Sequence, residues 1–132
     1  MRQRLSQLSN SLSKIEKFQN MSLEGFLHDE IAQDVVEYNL FIAINMMINI
    51  AMHIVVDNGM GNPETLGDAF SILNKKKYLD DNETETYRKM TGLRNILAHE
   101  YLKVEKRIIH SILQNNLVDI KKFVIFVDEN FI

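Results

Sequence analysis

Arg94, Asn95, His99 and Tyr101 stand within one run of eight residues, Arg94-Asn95-Ile96-Leu97-Ala98-His99-Glu100-Tyr101. An arginine carries a permanent positive charge and a planar fork of donors that fits phosphate oxygens. A histidine moves protons near neutral pH. Together they suit phosphodiester cleavage: the imidazole takes the proton of a ribose 2′-OH, the oxygen attacks the adjacent phosphorus, and the arginine stabilises charge on the phosphoryl oxygens. Asn95 can orient the histidine or the substrate. Spacing alone also fits a surface arginine paired with Glu100 or Glu105, and a histidine beside a helix C-terminal dipole.

These residues need a helix to hold them, and the pattern predicts one from Glu83 to about Tyr101. At about 100° per residue, Asn95 lies about 100° and His99 about 140° from Arg94, with Tyr101 about 20° to its other side. Met90, Leu93, Ile96 and Leu97 fall on the opposing side, so the polar set is expected to face away from the chain's own core. A dimer axis near this helix would bring two such sets together.

Four further helical stretches surround it. Leu5, Leu8, Leu12, Ile15 and Phe18 recur at helical period over about Gln3 to Phe18. Ser22, three residues before Gly25, is a weak capping signal. The second stretch runs from about Asp29 to Val56, and 17 of the 22 residues from Val35 to Val56 are apolar. Glu37, Asn39, Asn45, Asn49 and His53 interrupt it, which argues against a membrane span. A helix apolar nearly all round must be buried nearly all round, and a second copy of the chain is expected to cover it. A turn-rich loop, Asp57 to Pro63, leads to a third helix capped by Thr65 and ending near Lys76. A fifth stretch, with room for a bend, runs from about Val104 to Phe131. The reading is an all-α, up-and-down bundle of about five helices in a single domain, 1–132.

Composition narrows the function. No cysteine is present, which excludes disulfides and thiolate zinc sites and agrees with a cytoplasmic location. The N-terminus lacks the apolar core of a secretory signal. No carboxylate–histidine set has metal-ligand spacing, and neither a phosphate-binding glycine loop nor a GxSxG elbow occurs, so no metal or cofactor is expected. The net charge is −3, but Lys75 to Arg107 holds nine Lys and Arg against six acids, a local +3 that leaves the rest at −6. A positive face on an acidic protein can attract phosphates. His28 and His110 read as lone surface groups. Asn45, Asn49 and His53, four residues apart, read as a hydrogen-bonded buried stripe.

RNILAHEY resembles the Arg-x4-His-x-Tyr motif of the HepT-like branch of the HEPN superfamily. The likeness extends to KMTGLRNILAHEY, to AINMMINIAMHIV, and to the loop with Gly59, Gly61 and Pro63 followed by AFSIL, so it covers nearly the whole chain. The resemblance implies a HEPN-type helical homodimer with the motifs facing each other. It also implies a metal-independent endoribonuclease, the toxin of a type VII-like toxin–antitoxin system, with tRNA among the substrates of such proteins. The implied partner is an MntA-like nucleotidyltransferase antitoxin that silences the toxin by attaching AMP to the motif tyrosine. On that basis Arg94 contacts phosphate, His99 is the acid/base, Asn95 supports them and Tyr101 is the AMPylation site. AMP there adds bulk and negative charge that repel RNA. Glu37, Asn45 and Asn49 become candidates to line the RNA cleft or touch the antitoxin. The competing readings are a non-catalytic HEPN subunit that presents nucleotide or substrate to a nucleotidyltransferase, and a purely structural helical dimer.

Overall fold

A computed structural model describes residues 1–99 and 104–132, and among these it contains seven α-helices. They are α1 (Arg2–Glu16), α2 (Leu23–Leu27), α3 (Glu30–Asp57), α4 (Asp68–Lys75), α5 (Asp81–His99), α6 (Lys106–Asn115) and α7 (Leu117–Phe131). The five expected stretches are all present, and two local features raise the number. Ser22 does cap: its hydroxyl accepts the Gly25 N–H at 3.0 Å and starts the short α2. The last stretch breaks at Asn116, whose backbone leaves helical geometry (φ −117°, ψ 0°) and whose side chain bonds Asp119 at 2.9 Å.

The core is α3. Asp29 caps it through the Ala32 N–H at 3.0 Å, and Val36, Leu40, Ala43, Ile44, Met47, Ile50, Ala51, Ile54 and Val55 are all buried. Leu5, Leu8, Leu12 and Ile15 of α1 pack along it, and α2, α4, α5 and α6 cover further sides. Its own neighbours therefore bury much of α3. Covering α3 thus falls largely to the chain itself and not, as expected, to a second copy. The side left open carries Ile31, Tyr38, Asn49 and Val56.

Two helix ends explain the loops. α3 closes with Gly59 in the left-handed region (φ 64°), and the Met60 N–H reaches the Val55 carbonyl at 2.9 Å. α4 closes the same way on Lys77 (φ 65°), with the Tyr78 N–H on Leu73 at 3.0 Å. The expected Thr65 cap is reversed. The Asp68 carboxylate accepts from the Thr65 hydroxyl at 2.6 Å and from the amides of Glu64 and Thr65 at 3.0 Å, which holds its acid below the usual carboxylate range.

α5 begins two residues earlier than its periodicity suggests because Asp80 and Glu83 form a reciprocal capping box, at 2.7 and 3.0 Å. Its N-terminal half is anchored by an aromatic cluster. Phe70 of α4, Tyr87 of α5 and Phe123 of α7 lie 5.5 to 6.1 Å apart by ring centroids. The Tyr87 hydroxyl donates to the Asp119 carbonyl at 3.0 Å. Burial, then the nearby charges of Glu83, Asp119 and Asp80, push that phenol well above its ordinary range. The Arg88 guanidinium donates to the Gly67 carbonyl and the Ser71 hydroxyl, both at 2.8 Å, and ties α4 to α5. This fixes the register of α5, and with it the position of its C-terminal half.

Candidate functional site

Thr84, Tyr87, Met90, Thr91 and Leu97 are the buried residues of α5. At about 100° per residue they span an arc whose middle is Arg94. Arg94 is thus on the inner face, half-buried against α3, and the expectation that it points away from the core is corrected. Threonines at 84 and 91 pass as polar in a helical projection. In place, the Thr84 and Thr91 hydroxyls bond the carbonyls of Asp80 and Tyr87 at 2.8 and 3.1 Å, which lets both face inward.

The Arg94 side chain is held at three points. Nε donates to the Asn45 Oδ1 at 3.2 Å, and Nη1 donates to the Asn95 Oδ1 at 3.1 Å. Cζ lies 5.4 Å from the centre of the Phe41 ring, a cation–π distance. Nη2 makes no hydrogen bond among the described residues. Its N–H groups, with the unused donor of Nη1, are the ones suited to phosphate oxygens. Asn95 and His99 are exposed, and His99 is the last residue of α5.

Glu37, Phe41, Asn45 and Asn49 follow at intervals of four along α3, so they form one ladder on its surface. Phe41 was missed from the sequence because an aromatic in an apolar helix reads as core. The signal was its place in this ladder. Asn45 reaches the site, Asn49 is exposed one turn further on, and Glu37 is buried in an ion pair with Lys106 of α6. The expected buried stripe of Asn45, Asn49 and His53 does not exist as such. Asn45 is half-buried on Arg94, and His53 pairs with Asp57 at 2.8 Å at the open end of α3. His110 is also not a surface group: it is half-buried, 5.7 Å from the Phe26 ring, with Nε2 2.8 Å from the Met21 carbonyl. Tyr101 lies outside the described residues.

The outer side of α5 mixes the exposed Glu85–Lys89 ion pair, at 3.0 Å, with apolar residues. Leu93 and Ile96, with Ile108 and Ile112 of α6, line an open groove of about 580 Å³, and Ile96 and Ile108 are 44% and 54% exposed. Gly92 stands in the same groove, and apart from its own helix no described residue comes within 4 Å of where its side chain would begin.

The family described as HepT-like ribonuclease matches residues 8–127. The chain belongs to that family. Among its relatives, the mRNA nuclease HepT of Shewanella oneidensis is 30% identical over 112 residues, spanning 83% of this chain and 84% of that protein. The tRNA nuclease HepT of Aphanizomenon flos-aquae is 32% identical over 98 residues, 74% and 67% of the two chains. A solved structure of a tri-AMPylated Shewanella oneidensis HEPN toxin in complex with MNT antitoxin superposes with a TM-score of 0.87 at 25% identity, covering 97% of this chain and 96% of that one. The HepT-like fold expected from RNILAHEY is therefore the fold present. Its motif arginine is seated on the core helix, and its motif histidine stands at the exposed end of α5.

Proposed function

We propose that this HepT-like chain is the endoribonuclease toxin of a toxin–antitoxin pair. Arg94 binds and stabilises the scissile phosphate, and His99 serves as the acid/base. The observation that carries this reading is the seating of Arg94. An arginine on the inner face of a helix, fixed by Asn45, Asn95 and the Phe41 ring, keeps the Nη2 side of its fork available just over one turn from an exposed histidine. A surface arginine serving solubility needs no such clamp. Preorganised donors of this kind stabilise charge that develops in a transition state without reorganising. Asn95 shares in holding the fork. Arginine and histidine supply charge and proton transfer, so the reaction requires no metal ion, and chelation is expected to leave cleavage unchanged.

The active form is a homodimer joined through the outer groove of α5 and α6. Exposed Ile96 and Ile108, with half-buried Leu93 and Ile112, supply its apolar contact, and Gly92 permits close approach of a second backbone. Tyr101, two residues beyond His99, is the site at which a nucleotidyltransferase antitoxin attaches AMP. The AMPylated relative in complex with its MNT antitoxin supports this assignment. AMP attached to Tyr101 adds bulk and negative charge that repel RNA.

The test is to express wild type, Arg94→Ala and His99→Ala without the antitoxin and to follow growth and total RNA. Growth arrest with discrete RNA fragments from wild type alone is the expected result. Three equally harmless proteins, with Tyr101 unmodified in the wild type by mass spectrometry, would overturn it in favour of a non-catalytic subunit that presents nucleotide or substrate.

A further inference from the structure

Beside Arg94 lies a hollow of about 230 Å³ lined by Asp34, Glu37, Tyr38, Phe41 and Leu97. It falls below the roughly 300–1,000 Å³ typical of drug-sized sites, so it suits one flat heterocycle and not a folded segment. Phe41 belongs to both places: its ring lines the hollow and also carries the Arg94 guanidinium. The lining combines two aromatic rings with two carboxylates. Tyr38 is 66% exposed, an aromatic left open where an RNA base can stack. Glu37 is 7% exposed, and Lys106 holds its Oε1 in place. Oε2 has no partner among the described residues, and a carboxylate has about four acceptor sites in all.

A carboxylate accepts hydrogen bonds and donates none, and its charge repels a phosphate backbone. The hollow therefore selects a neutral ring with N–H groups on its edge. Guanine presents two such donors side by side, N1–H and the N2 amino group. Uracil flanks its single N–H with carbonyl oxygens. Adenine and cytosine pair their amino group with a ring acceptor that the carboxylate repels. We infer that the hollow is a guanine subsite, which places a guanosine of the RNA beside the phosphate held by Arg94, with Glu37 reading its Watson–Crick edge and Tyr38 stacking on it. The inference rests on the ribonuclease reading above.

The experiment uses the full-length His99→Ala protein and fluorescein-labelled oligouridylates carrying one guanosine, inosine, adenosine or abasic position. Binding is followed by anisotropy, and wild-type cleavage of unlabelled mixed-sequence RNA is mapped in parallel. Inosine lacks the N2 amino group. Guanosine is expected to bind about 10-fold more tightly than inosine or adenosine, with the preference falling to about 2-fold in Glu37→Gln. Tyr38→Ala, an exposed position that does not threaten the fold, should reduce the advantage of guanosine over the abasic position by about 10-fold. Equal binding of guanosine, inosine and adenosine would overturn the proposal, as would a Glu37→Gln protein that keeps the full preference. Cleavage by wild type without any base preference removes the subsite and leaves the nuclease. Discrimination by the His99→Ala protein, in the absence of any wild-type cleavage, leaves the subsite and removes the nuclease.

Discussion

On each face of α5 one residue inverts the usual rule. Its inner face, packed on the core helix, carries a permanent charge at Arg94. Its outer face carries exposed Ile96 beside half-buried Leu93. An amphipathic helix that served only the fold would place these residues the other way round. Each departure costs stability, and under the proposed function a phosphate accounts for Arg94 and a second chain for Ile96. Arg94 and Ile96 thus lie on opposite sides of α5, about 160° apart, while His99 stands with Ile96 on the outer side.

The largest expected effect falls on the inner face. Arg94→Ala should slow single-turnover cleavage by about 10²–10³-fold, and Arg94→Lys should recover little of it, since an ammonium lacks both the fork and the Nε contact to Asn45. Full activity in Arg94→Lys would mean that only charge matters, and the clamp would lose its significance. On the outer face, Ile96→Glu should weaken the dimer about 100-fold or more, because an unpaired charge would have to be buried on association. Analytical ultracentrifugation reads this, and an unchanged oligomeric state would detach the groove from assembly. Phe41→Leu keeps an apolar side chain but removes the ring under Arg94. A loss of about 1 kcal/mol should lower cleavage about 5-fold while the thermal midpoint moves little. A large drop in the midpoint with no change in rate would make Phe41 a core residue only.

The fourth effect is the smallest and concerns the anchor that sets the register of α5. Burial raises the Tyr87 phenol above its unfolded value of about 10. The folded state then holds the proton more tightly than the unfolded state. This contribution to stability is fully present below about pH 10 and is lost as pH rises from there toward the folded value. Tyr87→Phe should remove that alkaline dependence and cost about 1 kcal/mol for the lost bond to Asp119. Denaturant unfolding at pH 8 and pH 11 reads both. An unchanged alkaline slope would place the titration elsewhere.

Much of this was legible in the sequence where one residue carried the signal by type and spacing. The stripe of α1, the apolar length of α3 and the loop at Gly59 all read directly. The orientation of α5 did not. A helical projection treats Thr84 and Thr91 as polar, yet their hydroxyls are satisfied by the helix's own carbonyls, and that rotates the inner face onto Arg94. Phe41 was hidden for a related reason: hydrophobicity marks it as core, and its role appears only when α5 lies across it. The pairing of Glu37 with Lys106 spans 69 residues and follows from the packing of α6 on α3, which no local pattern encodes. Ser22 and Thr65 differed in outcome although their local patterns are alike, because Asp68 offers a stronger acceptor within reach of Thr65.

Gly92 has a consequence for variation. A glycine inside an exposed helix costs about 1 kcal/mol relative to alanine, and among the described residues nothing beyond its own helix occupies the space its side chain would take. A library screened for heat resistance alone should enrich Gly92→Ala, whereas one screened for growth arrest should deplete it if a second backbone must pass that point. Opposite enrichments at a single position would read out, without a crystal of the dimer, the trade between a robust monomer and a working toxin.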